Sequence, residues 1–351
     1  MLSSELDEHT AQLQHRTALS KEQVSASANM LTDENIDGDS KKRFLIALSE
    51  KGETQEEFSQ FVRVFRGLAK NPDLEDLANE AIDLCGTGGD QSGSFNISTA
   101  VSFLLAASST TVIKHGNRSI SSKCGSADLI EAVGIPLETD ARMRQEGLKR
   151  FHFSFLFAPS FHPAFKSIAP VRKALAAEGK ITIFNRLGPT LNPAKPAYQL
   201  LGVYNPLHLD QISQALSENG GKGGWVVHGK LARRQGVDEL TSCGDNCISG
   251  YGSSATEKNT LLSPSAWGQK IYPYDQLSGG DLEENLEILF KLANGSCPPG
   301  LFASILINAA TAFKIVGKVA NLGEGAELAE SVIKDGRLKK WLHDIRDFFK
   351  K

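Results

Sequence analysis

The chain has 351 residues, of which 40% are hydrophobic and 23% charged, and its formal net charge is −3. These values exclude a disordered or fibrous protein, and the weak negative charge argues against a general nucleic-acid-binding or membrane-binding surface. The five cysteines are odd in number and lack CxxC spacing, which predicts reduced thiols. The polar N-terminal segment and the lack of an apolar run of about 20 residues predict a soluble, cytoplasmic protein, and the length suggests about two domains.

Residues 1–79 predict an N-terminal helical domain. Apolar residues recur at spacings of three and four within residues 58–65, which is the helical period. Gly52 ends the preceding helix, and Thr54 with Glu57 forms a capping box that begins the next one. This segment carries no strand pattern, so we expect it to be all helical.

From residue 80 to residue 351 the pattern alternates between strands and helices. We predict strands at residues 111–113, 153–157, 181–184 and 225–227, and helices at residues 281–294, 301–320 and 335–351. Such alternation is typical of parallel βαβ units. The predicted fold class is therefore α/β, with a small all-α domain (1–79) and a larger α/β domain (80–351) around a mostly parallel central sheet. We expect the helical residues near 160–180 to pack on the small domain.

A glycine-rich stretch, DLCGTGGDQSGSFNISTA, runs from Asp83 to Ala100 and has the order strand, glycine turn, helix start. Glycines let the backbone approach an anion closely, and the N–H groups at a helix start donate to its oxygens. Asp90 suits a magnesium ion or sugar hydroxyls better than a phosphate, which indicates a phosphorylated sugar or a nucleotide. The alternative is an ordinary βα turn with an N-cap.

A second polar cluster, KHGNR at residues 114–118, directly follows a predicted strand. Ligands of open α/β sheets bind at this end of the strands. Lys114 would neutralise a phosphate, and His115 or Asn117 would hydrogen-bond a second substrate. The serines and the glycine of residues 119–126 add another loop suited to an anion. The alternative is a solvated basic turn.

Two further features suit charged ligands. Asp238 and Glu239 are adjacent carboxylates, and Mg²⁺ takes such oxygen ligands beside substrate phosphates, although acidic pairs are also common on surfaces. Arg172, close to Pro170, presents a guanidinium fork to a planar carboxylate, unless it is an ordinary surface arginine. No Ser/His/Asp or Cys/His set can be assembled from the sequence order, so we assign no acid, base or nucleophile.

Taken together, these motifs resemble the anthranilate phosphoribosyltransferase family. The resemblance covers nearly the whole chain, because further segments match in the family's order. The matching segments are KGET (51–54), GTGGD (86–90), NIST (96–99), KHGNR (114–118), SSKCGSAD (121–128), FLFAPSFHPAFK (155–166), APVRKAL (169–175), NRLGPTLNPA (185–194), QLLGVYNP (199–206), the pair at 238–239 and LINAATAF (306–313).

The resemblance implies transfer of the phosphoribosyl group of phosphoribosyl pyrophosphate (PRPP) to anthranilate in tryptophan biosynthesis, with Mg²⁺ and with a homodimer formed through the helical domain. It implies three sets of site residues. PRPP would contact Gly86, Gly88, Gly89, Asp90, Asn96, Ser98, Thr99, Lys114 and Ser126; anthranilate would contact Gly86, His115, Asn117 and Arg172; Mg²⁺ would be held by Ser98, Asp238 and Glu239.

Three departures from the family pattern stand out. Gln91 occupies a position where the family usually has glycine, the loop at residues 229–237 is long and basic, and residues 296–303 lack an expected polar pair. Two rival functions share the fold. A non-catalytic nucleic-acid-binding relative would carry a basic stripe and a degraded acidic pair, and a pyrimidine nucleoside phosphorylase would release a free base in the presence of phosphate.

Overall fold

The structure is a computed structural model that describes residues 2–89, 93–119, 123–231 and 234–350. The chain begins with helices, as the periodicity predicts. The Thr54 side chain accepts from the Glu57 N–H at 3.2 Å, and the Glu57 carboxylate accepts from the Thr54 N–H at 2.7 Å, so the predicted capping box is present. The helices are α1 (Leu2–Gln14), α2 (Lys21–Thr32), α3 (Gly38–Lys51), α4 (Gln55–Gly67) and α5 (Glu75–Ala78).

A central sheet follows, with strand order β3-β2-β1-β4-β5-β7-β8 and β6 paired to β5. The first five strands are parallel to one another and the last three are antiparallel to their neighbours, which confirms the α/β class with a mostly parallel sheet. The strands are β1 (Ile82–Gly86), β2 (Val112–Gly116), β3 (Phe153–Phe157), β4 (Tyr198–Gly202), β5 (Gly223–Leu231), β6 (Arg234–Val237), β7 (Asn246–Gly252) and β8 (Thr260–Leu262).

Helices cover both faces of the sheet. The long apolar helix α14 is buried along most of its length and packs against α6 and α15. The helices after β1 are α6 (Ile97–Ala107), α7 (Ser126–Val133), α8 (Ala141–Phe151), α9 (Ala158–Phe161), α10 (Ala169–Ala177), α11 (Phe184–Leu187), α12 (Leu209–Glu218), α13 (Leu282–Ala293), α14 (Pro299–Ile315), α15 (Leu322–Lys334) and α16 (Arg337–Phe349).

Separate hydrophobic clusters occupy the two faces of the sheet, because successive strand residues point in opposite directions. Leu200 belongs to the cluster under α6 and α14, and its neighbour Leu201 belongs to the cluster that contains the N-terminal helices. Val171 and Leu175 of α10 also belong to this second cluster, together with Phe44 of α3. The helical residues after 160 thus contact the N-terminal helices, while the division at residue 79 into two domains stays a prediction.

Two local predictions were wrong. Residues 181–184 are not a strand: the Asn185 side chain accepts from the Thr182 N–H at 2.9 Å, and the chain turns into the short helix α11. This side-chain bond offers the backbone an alternative to a β-ladder. The described residues of the basic loop at 229–237 lie in strands: residues 229–231 end β5 and residues 234–237 form β6, and Gly229 pairs with Val237 in antiparallel fashion.

No helix within the described ranges has both the length and the apolar character needed to cross a membrane. All five cysteines are free thiols, in agreement with the prediction from their odd number and the lack of CxxC spacing.

Candidate active site

Strands β1, β2 and β4 end in glycine at one edge of the sheet, and the segment around Asp238 lies against the glycines that end β1 and β4. Gly86 of β1 pairs with Gly202 of β4. A Cβ atom at Gly86 would lie 2.2 Å from the Asp238 Oδ2, and one at Gly202 would lie 1.6 Å from the Asp238 carbonyl oxygen. Neither position tolerates a side chain, so these glycines let the acidic segment reach the carboxyl ends of the strands.

The turn after β1 is held by Asp238. Gly88 and Gly89 have φ angles of 68° and 80°, which residues other than glycine rarely adopt. The Gly88 N–H donates to the Asp238 Oδ2 at 2.7 Å, and the Thr87 N–H donates to the Gly202 carbonyl at 3.0 Å. The glycine turn and one carboxylate of the predicted metal pair are therefore in direct contact. Asp90 and Gln91 lie outside the described residues.

Helix α6 begins beside the second carboxylate. The Ser98 N–H donates to the Glu239 Oε1 at 3.2 Å, and the Asn96 side-chain amide donates to the Cys124 carbonyl at 3.2 Å. Asn96 thus joins the glycine loop, defined here as residues 86–96, to the loop that precedes α7. Thr99 is fully buried, and within the described residues its hydroxyl has no hydrogen-bond partner.

Lys114 at the end of β2 is buried beneath this loop. Its ammonium donates to the Leu84 carbonyl and to the Ser98 Oγ, the latter at 3.2 Å. Burial lowers the pKa of Lys114, and the neighbouring charge of Asp83 opposes this effect. The lysine therefore places a cation directly under the N-terminus of α6.

Asp83 is a buried acid that the sequence reasoning did not single out. It is fully buried, and burial raises its pKa to about 6 despite the nearby Lys114. Its carboxylate accepts from the His115 N–H at 3.2 Å and from the Asn192 side chain at 3.0 Å. A charged residue inside an otherwise apolar buried strand was the signal that could have identified it.

The carboxylates of Asp238 and Glu239 and the hydroxyl of Ser98 fit a magnesium ion. Mg²⁺ is usually bound by one or two carboxylates together with water and substrate phosphates, so a complete protein cage is not required. Within the described part of the chain, no group of three or more His, Cys, Asp or Glu side chains could hold a metal. The donor set therefore suits an ion that arrives with a phosphorylated substrate. We call Gly86–Gly89, Ser98, Lys114, Asp238 and Glu239 the phosphate side of the site.

A row of rings connects two residues predicted to bind anthranilate. The His115 and His162 rings meet edge to face with centroids 5.1 Å apart, and His162 stacks on Phe165 at 5.3 Å. Phe165 meets Phe184 at 5.6 Å, and the Arg172 guanidinium lies 4.9 Å from the Phe184 centroid. We call these five residues the aromatic row. The motif segments 155–166 and 185–194 included or bordered its three middle rings, but spacing alone could not connect them.

The polar atoms of the aromatic row have few partners. Within the described residues, the Nε2 atoms of His115 and His162 are buried without a hydrogen-bond partner, and the Arg172 guanidinium makes no hydrogen bond or ion pair. Burial holds the pKa of His115 well below its usual value and lowers that of His162 to about 4, so both rings are neutral at pH 7. Such orphaned buried groups suit a polar ligand.

The remaining predicted residues lie at the start of α7. The Ser126 Oγ donates to the Asn117 carbonyl at 3.3 Å, and the exposed Asn117 side chain accepts from the Arg118 N–H at 2.8 Å. Arg118 itself pairs with Asp128 and Glu131 at 2.7 and 2.8 Å, so this cation has a structural role. Every described residue of the predicted site is therefore at or beside the carboxyl edge of the sheet, except Arg172, which the aromatic row connects to it. Ligand contacts for all of these residues stay predictions.

Residues 78–338, which include the sheet edge, its glycine turn and the acidic pair, match the model of the glycosyl transferase family, a/b domain, and this match places the chain in a class of glycosyltransferases. The anthranilate phosphoribosyltransferase of Petrotoga mobilis is 38% identical over 330 residues, which cover 94% of this chain and 93% of that relative. The chain belongs to the anthranilate phosphoribosyltransferase family.

Solved structures agree with this assignment. The crystal structure of anthranilate phosphoribosyltransferase from Thermus thermophilus has a TM-score of 0.86 to this chain at 33% identity, with coverage of 98% of this chain and 99% of that one. The Saccharomyces cerevisiae enzyme in complex with PRPP and Mg has a TM-score of 0.85 at 24% identity, covering 99% and 98%. At that identity the likeness supports the fold alone. The predicted family, fold class, enzyme class and activity are confirmed.

Proposed function

We propose that this chain transfers the phosphoribosyl group of PRPP to anthranilate and releases pyrophosphate, with Mg²⁺ held by Asp238, Glu239 and Ser98. The observation that carries the proposal is the junction of two unlike half-sites at adjacent residues, because Lys114 belongs to the phosphate side and His115 to the aromatic row. A substrate that is an anion at one end and a second substrate that is a flat ring with a carboxylate match these two halves.

On the phosphate side, the chain offers charge and backbone donors. The amides of the glycine turn and of the α6 N-terminus, together with the Lys114 ammonium, would receive PRPP. When bound, Mg²⁺ supplies positive charge to the pyrophosphate oxygens as negative charge develops on them. Lys114 adds charge to the same place, and its burial keeps that charge poorly screened by water.

In the aromatic row, the Arg172 guanidinium would receive the anthranilate carboxylate. Its fork is not occupied by another side chain within the described residues, and its position over the Phe184 ring limits its motion. The neutral imidazole of His115, with the exposed amide of Asn117 and the backbone of Gly86, would border the ring and the amine of anthranilate.

The chemistry needs orientation more than acid–base catalysis. The amine nitrogen forms a bond to the ribose carbon while the bond from that carbon to the pyrophosphate oxygen breaks, and the amine then loses a proton to solvent or to a product oxygen. An aromatic amine is largely unprotonated at neutral pH, so no strong general base is required. Because the two substrates would be held on adjacent residues, their reacting atoms would lie close together, and this proximity lowers the barrier to the reaction.

We also propose that residues 1–79, whose helices α1–α4 share a hydrophobic cluster with α10, form a separate small domain through which two copies associate. We further propose that the protein acts in the cytoplasm. The support for a domain is the hydrophobic cluster that gathers these helices on one face of the sheet. Ile181, which follows α10, is 69% exposed and offers an apolar contact near this domain. Sedimentation equilibrium with wild type and Ile181→Glu tests the dimer, and a monomeric wild type would contradict it.

The test of the proposed function is the loss of anthranilate fluorescence on mixing the chain with anthranilate, PRPP and Mg²⁺. We expect turnover with all three and none when PRPP or Mg²⁺ is omitted. Phosphate-dependent release of a free base from a pyrimidine nucleoside would favour the phosphorylase instead. Salt-sensitive DNA binding by folded protein without turnover would favour the nucleic-acid-binding relative.

A further inference from the structure

A short antiparallel pairing lies at the end of the glycine loop that leads into α6. Residues 93–95 run antiparallel to residues 277–279. We call residues 277–279 the bracing segment. The pairing has one bridge and two hydrogen bonds: Ser94 with Ser278, the Phe95 N–H to the Leu277 carbonyl at 2.9 Å, and the Gly279 N–H to the Gly93 carbonyl at 2.8 Å.

Helix α6 has no side-chain cap of its own. Asn96 has φ −70° and ψ 68°, and the Ile97 N–H donates to the Phe95 carbonyl at 2.7 Å, which makes Asn96 the centre of an inverse γ-turn. The Asn96 side chain bonds to Cys124 rather than to the helix. The position of the first turn of α6 therefore depends on contacts from outside the helix, which are the Glu239 carboxylate at the Ser98 N–H and the segment that holds residues 93–96.

The fit between the two segments leaves no room for a side chain at Gly279. A Cβ atom there would lie 2.8 Å from the Phe95 Cα, 2.8 Å from the Ser94 carbonyl oxygen and 2.9 Å from the Asn285 Oδ1. Two of these three atoms are backbone, so they cannot rotate away. An alanine at residue 279 would push the strand at residues 93–95 by several tenths of an ångström, and the start of α6 would follow.

The two residues that directly follow the bracing segment are anchored to α13. Leu277 is buried, and the buried Asn285 side chain donates to the carbonyls of Gly280 and Asp281 at 2.6 and 2.7 Å. Helix α13 also packs against α7, whose first residue is Ser126. One helix thus stands behind both loops that we assign to PRPP.

We infer that the bracing segment, held by Asn285, is a positioning element that sets the α6 N-terminal amides in register for PRPP. This role rests on the proposed function. None of these residues touches the reacting atoms, so they act through residues 93–98. Because binding groups displaced by less than an ångström can lose much of their effect, a small shift should change PRPP binding measurably.

The test compares Gly279→Ala with Gly67→Ala in the fluorescence assay. A Cβ atom at Gly67 would have no heavy atom of another part of the chain within 4 Å, and its φ is not positive, so this variant controls for the added methyl group alone. We expect Gly279→Ala to raise KM for PRPP about tenfold while KM for anthranilate changes less than twofold, and Gly67→Ala to leave both unchanged. The inference would be overturned if Gly279→Ala changed the two KM values equally, or if it folded as well as wild type and changed neither.

Two further measurements apply if Gly279→Ala does not fold. Asn285→Ala removes the anchor without adding a clash, and we expect a three- to fivefold rise of KM for PRPP alone. In the wild type, PRPP with Mg²⁺ should slow amide exchange at Phe95 and Gly279, and unchanged exchange would count against the role. If wild type turns over and these effects are missing, the positioning role fails alone; if wild type does not turn over, the proposed function fails first.

Discussion

The phosphate side and the aromatic row lie next to each other but are built by opposite means. The phosphate side is made of backbone amides, two carboxylates and a buried ammonium, and nearly every one of these groups is hydrogen-bonded to another. The aromatic row is made of neutral rings and one cation, and within the described residues its imidazole Nε2 atoms and its guanidinium have no hydrogen-bond partner.

The difference indicates two kinds of recognition. A highly charged, hydrated substrate needs a preorganised set of charges, because protein groups that are already in place must substitute for the substrate's hydration shell. A flat ring needs apolar walls, and its single carboxylate needs one cation that is not already neutralised. The following predictions remove one side at a time, so that the effects on PRPP and anthranilate can be separated.

The largest effect is expected from removing the metal pair. Asp238→Asn with Glu239→Gln should lower turnover about a thousandfold, because metal charge at a transferring group is worth several kcal/mol. The assay is the loss of anthranilate fluorescence at saturating Mg²⁺. Asp76→Asn with Glu80→Gln removes two exposed carboxylates and should leave turnover unchanged. Turnover within tenfold of wild type would rule out the metal role.

Lys114→Met should destabilise the fold by about 3 kcal/mol at pH 8, because it leaves the carboxylate of Asp83 buried without its cation. The pKa of Asp83 is raised to about 6, above its unfolded value of 3.8, so its contribution to stability is present at low pH and lost as pH rises. In urea unfolding, Lys114→Met should therefore lower the free energy of unfolding less at pH 5 than at pH 8.

The matched double variant, Lys114→Met with Asp83→Asn, checks this cause. It removes the buried negative charge as well, and it should recover part of the stability at pH 8. A double variant that is less stable than Lys114→Met would show that the hydrogen bonds of Asp83 outweigh its charge.

On the other side, Arg172→Gln should raise KM for anthranilate about thirtyfold, which corresponds to about 2 kcal/mol for a charge-assisted hydrogen bond. KM for PRPP should change less than twofold, since no phosphate-side residue contacts Arg172. The control is Lys173→Gln, which removes an exposed charge from the same helix. A rise in both KM values would place Arg172 outside the anthranilate site.

The smallest effect concerns the pH dependence of stability. Burial lowers the pKa of His162 to about 4, so the folded chain binds fewer protons than the unfolded chain between pH 4 and 6.5. Stability from this group is present at neutral pH and falls as pH drops below 6.5. When the pH is lowered from 7.5 to 5, the free energy of unfolding in urea should fall for both proteins, but by about 1 to 2 kcal/mol less for His162→Gln than for wild type. Equal losses would contradict a neutral buried His162.

Much of the fold could be predicted from local pattern. Helices α3, α4, α13 and α16 follow the three- and four-residue periods, α14 follows a continuous apolar run, and the Thr54 capping box forms as expected. Strand β4 was not predicted. Residues 181–184 were wrongly assigned because their β-branched residues suit a strand. In the structure, the Asn185 side chain accepts a hydrogen bond from the backbone of this segment, which therefore does not join a β-ladder.

The sequence by itself determined the family, the glycine turn and the residue types of both half-sites, because positive φ angles, caps and motif spacing are local properties. Only the tertiary structure decided which groups meet. Glu239 reaches Ser98 across 141 residues, and Asp238 reaches Gly88 across 150. The aromatic row combines β2 with the helical segment that follows β3, and the bracing segment arrives from beyond β8. Such contacts depend on the order of strands in the sheet and on side-chain packing, which residue spacing does not encode.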